Sequence, residues 1–231
     1  MTINKVFIGY DSKETEAYEV CKYSIEKYNK NKNLEIIPIV KKDLISKGIY
    51  KNCESGLSST EFSFTRFLVP YLSNYSGWSV FVDCDFIFLD DINSISSFLD
   101  TTHTLFVVKH DYTPKTDKKM ESKIQTIYPR KNWSSLMVFN CEHTSIKTLT
   151  PDLINTSSGL YLHRFMWLDD KFIGNLPYKF NFLVGYYDKN TVSPIGVHFT
   201  DGGPWLDSYK DVEFSAEYFK LLKEYKNGIR N

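Results

Sequence analysis

The run Trp78-Ser-Val-Phe-Val-Asp-Cys-Asp-Phe-Ile-Phe-Leu89 constrains this chain more than any other stretch. Bulky apolar residues dominate it, with no Gly, Pro or Asn inside, so it reads as a buried strand. Yet it carries Asp83 and Asp85, and unpaired carboxylates are costly to bury. Side chains along an extended chain alternate faces, so these two acids project the same way. Paired hard oxygens at the end of a central strand suit a divalent cation, Mn2+ or Mg2+. That points to metal chemistry on a phosphate-bearing substrate. Asp90 and Asp91, just downstream, read instead as a strand exit and the cap of the short segment Ile92–Leu99.

Around this run the chain alternates between strand-like and helical patterns. Lys5–Tyr10 reads as a first strand and Leu34–Val40 as a second. Between them Ala17, Val20, Cys21, Ile25 and Tyr28 recur at helical spacing, which predicts a helix over Thr15–Tyr28. A further helix is expected from about Ser59 to Leu72, with Ser58 and Glu61 as a capping box. Leu105–Lys109 and Ser135–Asn140 read as strands, and Glu142–Leu149 as a short helix. The polar segment Asp111–Arg130 has little apolar periodicity and reads as a mobile loop over the site. The expected fold is α/β: one Rossmann-like domain, with a mostly parallel central sheet and helices on both faces. In such sheets ligands bind beyond the carboxyl ends of the strands, where Asp11 and the acidic pair would lie.

Composition narrows the function classes. A chain of 231 residues with 42% hydrophobic content has enough apolar material for one domain with a core. Its 28 Lys and Arg balance 28 Asp and Glu, which argues against nucleic acid as a partner. The four cysteines show no paired metal-ligand spacing, and three of them lie in apolar-periodic segments and read as buried free thiols in a reducing compartment. With no apolar signal region and no stretch of membrane-spanning length, a cytoplasmic protein is expected. Phe214–Lys226 reads as an amphipathic terminal helix docking on the domain, the alternative being peripheral contact of its lysines with a membrane.

Several segments together resemble a known family. They are Gly9-Tyr-Asp11, the helix containing Arg66, Val80–Leu89, Asn132-Trp-Ser-Ser-Leu-Met-Val-Phe-Asn140, Trp167-Leu-Asp-Asp170, Leu176–Asn181 and His198-Phe-Thr-Asp-Gly-Gly-Pro-Trp205. In this order they are similar to glycosyltransferases of the GT-A fold, above all family 8 and related small bacterial and viral sugar transferases. The resemblance implies that Asp83, Asp85 and His198 hold the metal. It sets Tyr10, Asp11, Cys84 and Arg66 against the nucleotide, and Asn132 and Ser134 on the sugar and acceptor side. Arg66 is implied to reach the acidic motif or the donor sugar as a catalytic residue, with a structural ion pair to Asp83 or Asp85 as its ordinary reading. Asp169 and Asp170 are implied near the reacting carbon, with a helix N-cap as their ordinary reading. Within the domain, residues 1–110 would bind the nucleotide of a donor such as a UDP-sugar. Residues 111–231 would meet a glycan or other hydroxyl acceptor, with transfer at retained configuration. One departure stands out: Gly203 falls where the family tail carries a Lys, so backbone N–H groups of Gly202 and Gly203, or Arg130 and Lys131, would have to replace that cation. Two rivals remain at this level, a non-catalytic nucleotide- or sugar-binding relative and a metal-dependent phosphohydrolase.

Overall fold

Apolar strand-forming segments gain most from a sheet that is covered on both faces, and here six segments form one main sheet. The computed structural model describes residues 1–51, 60–111 and 130–229. Cys53, Gly56 and Ser58, and nearly all of the expected loop over the site, lie outside the described residues. The opening elements are β1 (Ile3–Gly9), α1 (Thr15–Tyr28), β2 (Glu35–Ile39), α2 (Lys41–Ser46) and α3 (Val69–Leu72). Then come β3 (Trp78–Val82), β4 (Phe86–Phe88), β5 (Leu105–Val107) and β6 (Leu136–Asn140). The last part holds α4 (Pro151–Thr156), α5 (Gly159–His163), β7 (Ile173–Asn175), β8 (Phe182–Leu183), β9 (Gly196–His198) and α6 (Ser215–Ile229).

The main sheet runs β2-β1-β3-β6-β5-β7. β1 pairs in parallel with β2 and β3, and β5 with β7, while β6 is antiparallel to both β3 and β5. One reversed strand among six leaves the sheet mostly parallel, as the alternating pattern predicts. Its central strands β3, β5 and β6 are buried almost throughout, which fits a sheet covered on both sides. Phe7 stands opposite Phe81 in the register, and the Phe62 ring covers Phe81. A side chain at Gly9 would collide with that ring, with a Cβ only 2.4 Å from it, so glycine here is a packing requirement.

The run Trp78–Leu89 is not one strand, and this corrects the sequence reading. β3 ends at Val82, residues 83–85 turn, and β4 begins at Phe86 in a different, three-stranded sheet of order β4-β9-β8. The reason lies in the carboxylates: Asp83 and Asp85 are poorly placed inside a closed sheet, and at the switch between two sheets they reach the edge of the core. Asp83 N–H donates to Ser135 O at 2.9 Å, and Phe199 N–H donates to Asp85 O at 3.0 Å. The two main-chain bonds tie the motif to β6 on one side and to the end of β9 on the other.

The expected helix up to Leu72 is a 3-10 turn (Thr65–Leu68) followed by the single turn of α3, with Pro70 at its start. Proline suits a first helical turn but cannot continue a helix from upstream. Asp91 caps the 3-10 segment Ile92–Phe98 by accepting from Asn93 N–H at 3.0 Å, as expected. The terminal helix docks on the domain. Tyr218, Leu221 and Leu222 of α6 join Val20 of α1 and Ile87, Val197 and Phe199 in a second apolar cluster. Two ion pairs join α6 to α1, Lys226 with Glu16 and Glu224 with Lys27. Among the described residues no helix is long and apolar enough to cross a membrane.

Candidate metal and donor site

The switch between the sheets gathers three candidate ligands, two from the acidic turn and one from the distant strand β9. One ligand atom each from Asp83, Asp85 and His198 lie within 4.8 Å of one another. Phe86 pairs with His198 across β4 and β9, which sets the imidazole directly beside the acidic turn. The Phe86 ring stacks on it at 4.4 Å between centroids and 16° between planes. His198 Nε2 is 3.3 Å from Asp85 Oδ2. Two carboxylates and an imidazole form a donor set that suits Mn2+ and also accommodates Mg2+.

The opposite edge of the imidazole is held as firmly. Its Nδ1 lies 3.0 Å from Asn181 Oδ1. Asn181 is fully buried, and its Nδ2 donates to Ser135 Oγ at 2.8 Å and to Asn132 O at 3.4 Å. Sequence reading carried Asn181 only as the end of a matching segment. The signal was there in principle: a lone amide closing an apolar stretch has to be buried with partners.

Arg66 is buried beneath the motif. Its Nη1 is 2.8 Å from Asp83 Oδ1 and donates to Ser134 O at 2.9 Å, and its Nε donates to Phe62 O at 3.4 Å. The guanidinium also lies over the Phe62 and Phe81 rings, at 5.2 and 5.0 Å from their centroids. A planar, five-donor cation is what such a site requires. The structural ion pair weighed in the sequence is therefore present, and it orients one of the metal-ligand candidates.

Other expected residues gather nearby in different roles. Ser134 Oγ is 2.8 Å from His163 Nδ1, and Asn132 donates through Nδ2 to Thr200 Oγ1 at 2.9 Å, two residues beyond His198. Asp11 is buried and spends both oxygens on main chain, accepting from Lys13 N–H at 3.0 Å and Glu61 N–H at 3.1 Å. It shapes the loop after β1 through those two bonds. Tyr10 stands edge-on to Tyr18 at 5.2 Å. Gly202 N–H already donates to Phe199 O at 3.0 Å, closing the tail turn. A side chain at Gly203 would run into the Trp205 ring, its Cβ only 1.9 Å away, so this position has room only for glycine.

Asp169 and Asp170 make no direct contact with the three ligands among the described residues. Asp169 caps a 3-10 turn by accepting from Lys171 N–H at 3.1 Å, and its other oxygen meets Lys171 Nζ at 3.1 Å. Asp170 binds Arg130 Nη2 through both oxygens at 2.6 Å. Arg130 in turn neighbours Lys131, which is buried, and Asn132.

A further carboxyl faces the motif. Cys84 Sγ donates to Glu14 Oε2 at 3.4 Å. Burial pushes the Glu14 carboxyl up to about 7; the Asp85 charge adds to this, the Cys84 thiol opposes it, and Asp11 and Asp83 add further. The folded protein thus holds a proton that the unfolded chain releases at its ordinary 4.5. Stability is highest below that lower value and falls as pH rises through the window between the two. We expect Glu14→Gln to flatten this slope and to raise unfolding stability at pH 8 by about 2–3 kcal/mol in the metal-free protein. Urea titrations at pH 5 and pH 8 with a chelator present measure it; parallel slopes for both proteins would refute it.

Comparisons with known proteins bear on the fold. No family model matches the chain. Protein CDI of Arabidopsis thaliana is 48% identical over 225 residues, spanning 96% of this chain and 86% of that protein. Among solved structures, the WbbM bifunctional glycosyltransferase superposes with a TM-score of 0.62 at 13% identity, over 96% of this chain. The chain spans half the length of that protein. A galactosyltransferase, LgtC, solved with donor and acceptor sugar analogues, superposes with a TM-score of 0.53 at 10% identity, over 95% of each chain. The fold is that of GT-A-like glycosyltransferases.

Proposed function

This chain belongs to the family of Protein CDI, and we propose that it transfers a sugar from a nucleotide-sugar donor, UDP-linked, to a glycan or other hydroxyl acceptor. The observation that carries the reading is the convergence of Asp83, Asp85 and His198 at the sheet switch of a glycosyltransferase fold. In this reading the three residues hold Mn2+ or Mg2+. The ion supplies Lewis-acid neutralisation of the charge that develops on the departing diphosphate.

The protein's own groups prepare the rest. Arg66 fixes the Asp83 carboxylate from below, so that it is positioned before the donor arrives. Tyr10, Asp11 and Cys84 line the nucleotide side, with Asp11 holding the loop through its two backbone partners. Asn132 and Ser134 lie on the sugar side, tied to Thr200 and His163. Asp170 reaches this side through Arg130, and Arg130 with Lys131 offers the positive charge that the Gly202-Gly203 tail lacks. Asp169, a cap paired with Lys171, supports that turn. In a retaining reaction the leaving phosphate accepts the acceptor's proton on the same face, so no dedicated side-chain base is needed.

A second reading, a binding relative without turnover, draws on the missing tail lysine. Incubation with UDP-sugars and Mn2+ separates the two: release of UDP, dependent on the metal, is expected from an enzyme. Nucleotide binding without any release would leave only the binding module. The anomeric proton coupling of a fresh product, read by NMR, is expected to show retention. An inverted product would remove the family 8 mechanism.

A further inference from the structure

We propose that Asn181 is a positioning residue that fixes the tautomer of His198, leaving Nε2 bare and aimed at the cation; this rests on the metal-site reading above. The argument follows hydrogen-bond polarity along a buried chain. Ser135 Oγ donates to Asn132 O at 2.7 Å, which commits its only proton. The same oxygen can then only accept from Asn181, so the group 2.8 Å away is the Asn181 NH2. Asn132 O, a pure acceptor at 3.4 Å, demands the same orientation. The amide oxygen of Asn181 therefore faces His198, and an amide oxygen cannot donate. His198 Nδ1 must carry the proton.

The proton on Nδ1 decides what the other edge of the ring can do. A neutral imidazole protonated at Nδ1 presents a lone pair at Nε2, which stands 3.3 Å from an Asp85 oxygen. A lone pair and a carboxylate repel unless something positive lies between them; a proton can stand there before metal binds, and a divalent cation takes its place and satisfies both groups. Were Nε2 the protonated atom of the neutral ring, His198 would donate to Asp85 and be closed to metal. Asn181 thereby selects the ligand form of the ring, and the Phe86 stack fixes its plane. The device spans three elements: Ser135 leads into β6, Asn181 precedes β8, and His198 ends β9. Ser135 O also accepts from Asp83 N–H, so the same residue positions both the acid and the histidine.

Nitrogen-15 NMR of histidine-labelled protein tests this without turnover. In the wild type, Nδ1 of His198 is expected to show a protonated shift both without metal and with Mg2+. A deprotonated Nδ1 overturns the proposal, and this measurement needs no variant. Mn2+ binding followed by EPR supplies the second arm. Asn181→Leu is expected to weaken Mn2+ affinity about 10–100-fold, while Asn181→Asp, which keeps an acceptor for Nδ1, restores most of it. Equal Mn2+ affinity in wild type and Asn181→Leu overturns the role of Asn181 and leaves the metal site standing. No Mn2+ binding by the wild type, with Nδ1 protonated, removes the metal reading itself and the proposal with it.

Discussion

Asp85→Asn is expected to abolish the Mn2+-dependent stabilisation of this protein by UDP while leaving its fold intact. Asp85 is a ligand candidate whose neighbour in the site is His198 rather than Arg66. A neutral amide keeps the shape but loses the charge that draws a divalent ion. The Lewis-acid contribution at stake is several kcal/mol, which corresponds to a fall in turnover of about a thousandfold. Asp83→Asn should lose turnover as severely and should also lower the melting temperature, because it removes the charge partner of buried Arg66. Thermal shifts with UDP and Mn2+, against UDP with EDTA, make the comparison direct. Equally tight UDP binding with EDTA present would refute the metal role of both residues.

The second large effect belongs to Arg66. Arg66→Ala would leave Asp83 without its cation and Ser134 O without its donor, and would open a gap between the Phe62 and Phe81 rings. Removing one partner of a buried ion pair costs about 3–5 kcal/mol, a drop of roughly 10 °C or more in melting temperature for a chain of this size. Arg66→Lys separates charge from shape. An ammonium retains the attraction to Asp83 but cannot bond Ser134 O and Phe62 O in the same plane. Its stability loss should therefore be smaller than that of Arg66→Ala, and its loss of turnover should be much larger than its change in melting temperature. A lysine variant with wild-type kinetics would reduce Arg66 to a structural ion pair alone.

Much of the framework was legible in the sequence because period and burial go together. The helical spacing of Ala17, Val20, Cys21 and Ile25 matched α1 from Thr15 to Tyr28, and the apolar runs around Phe7 and Phe139 are strands of the main sheet. The acidic pair and a buried arginine were also identifiable, since charged groups in apolar surroundings need partners wherever the chain takes them, while the histidine of the tail was legible only through the family resemblance. The site's supporting groups were not. Glu14 reads as one acid in a polar loop until α1 brings it against Cys84. Asp169 and Asp170 read equally as site acids or as an N-cap; Asp169 is a cap, and the Asp170 contact with Arg130 is set by chain folding across forty residues.

What the sequence by itself determined is the set of segments that must be buried and the charges that burial would make expensive. The tertiary structure alone decided where those charges meet. The break of Trp78–Leu89 into strands of two sheets depends on which neighbours pair with β3 and β4, and those are β1, β6 and β9, all distant in sequence. The orientation of His198 is likewise unreadable from its neighbours. It follows from a single committed proton on Ser135, passed through Asn181, and hydrogen-bond polarity of that kind exists only once the three residues are side by side.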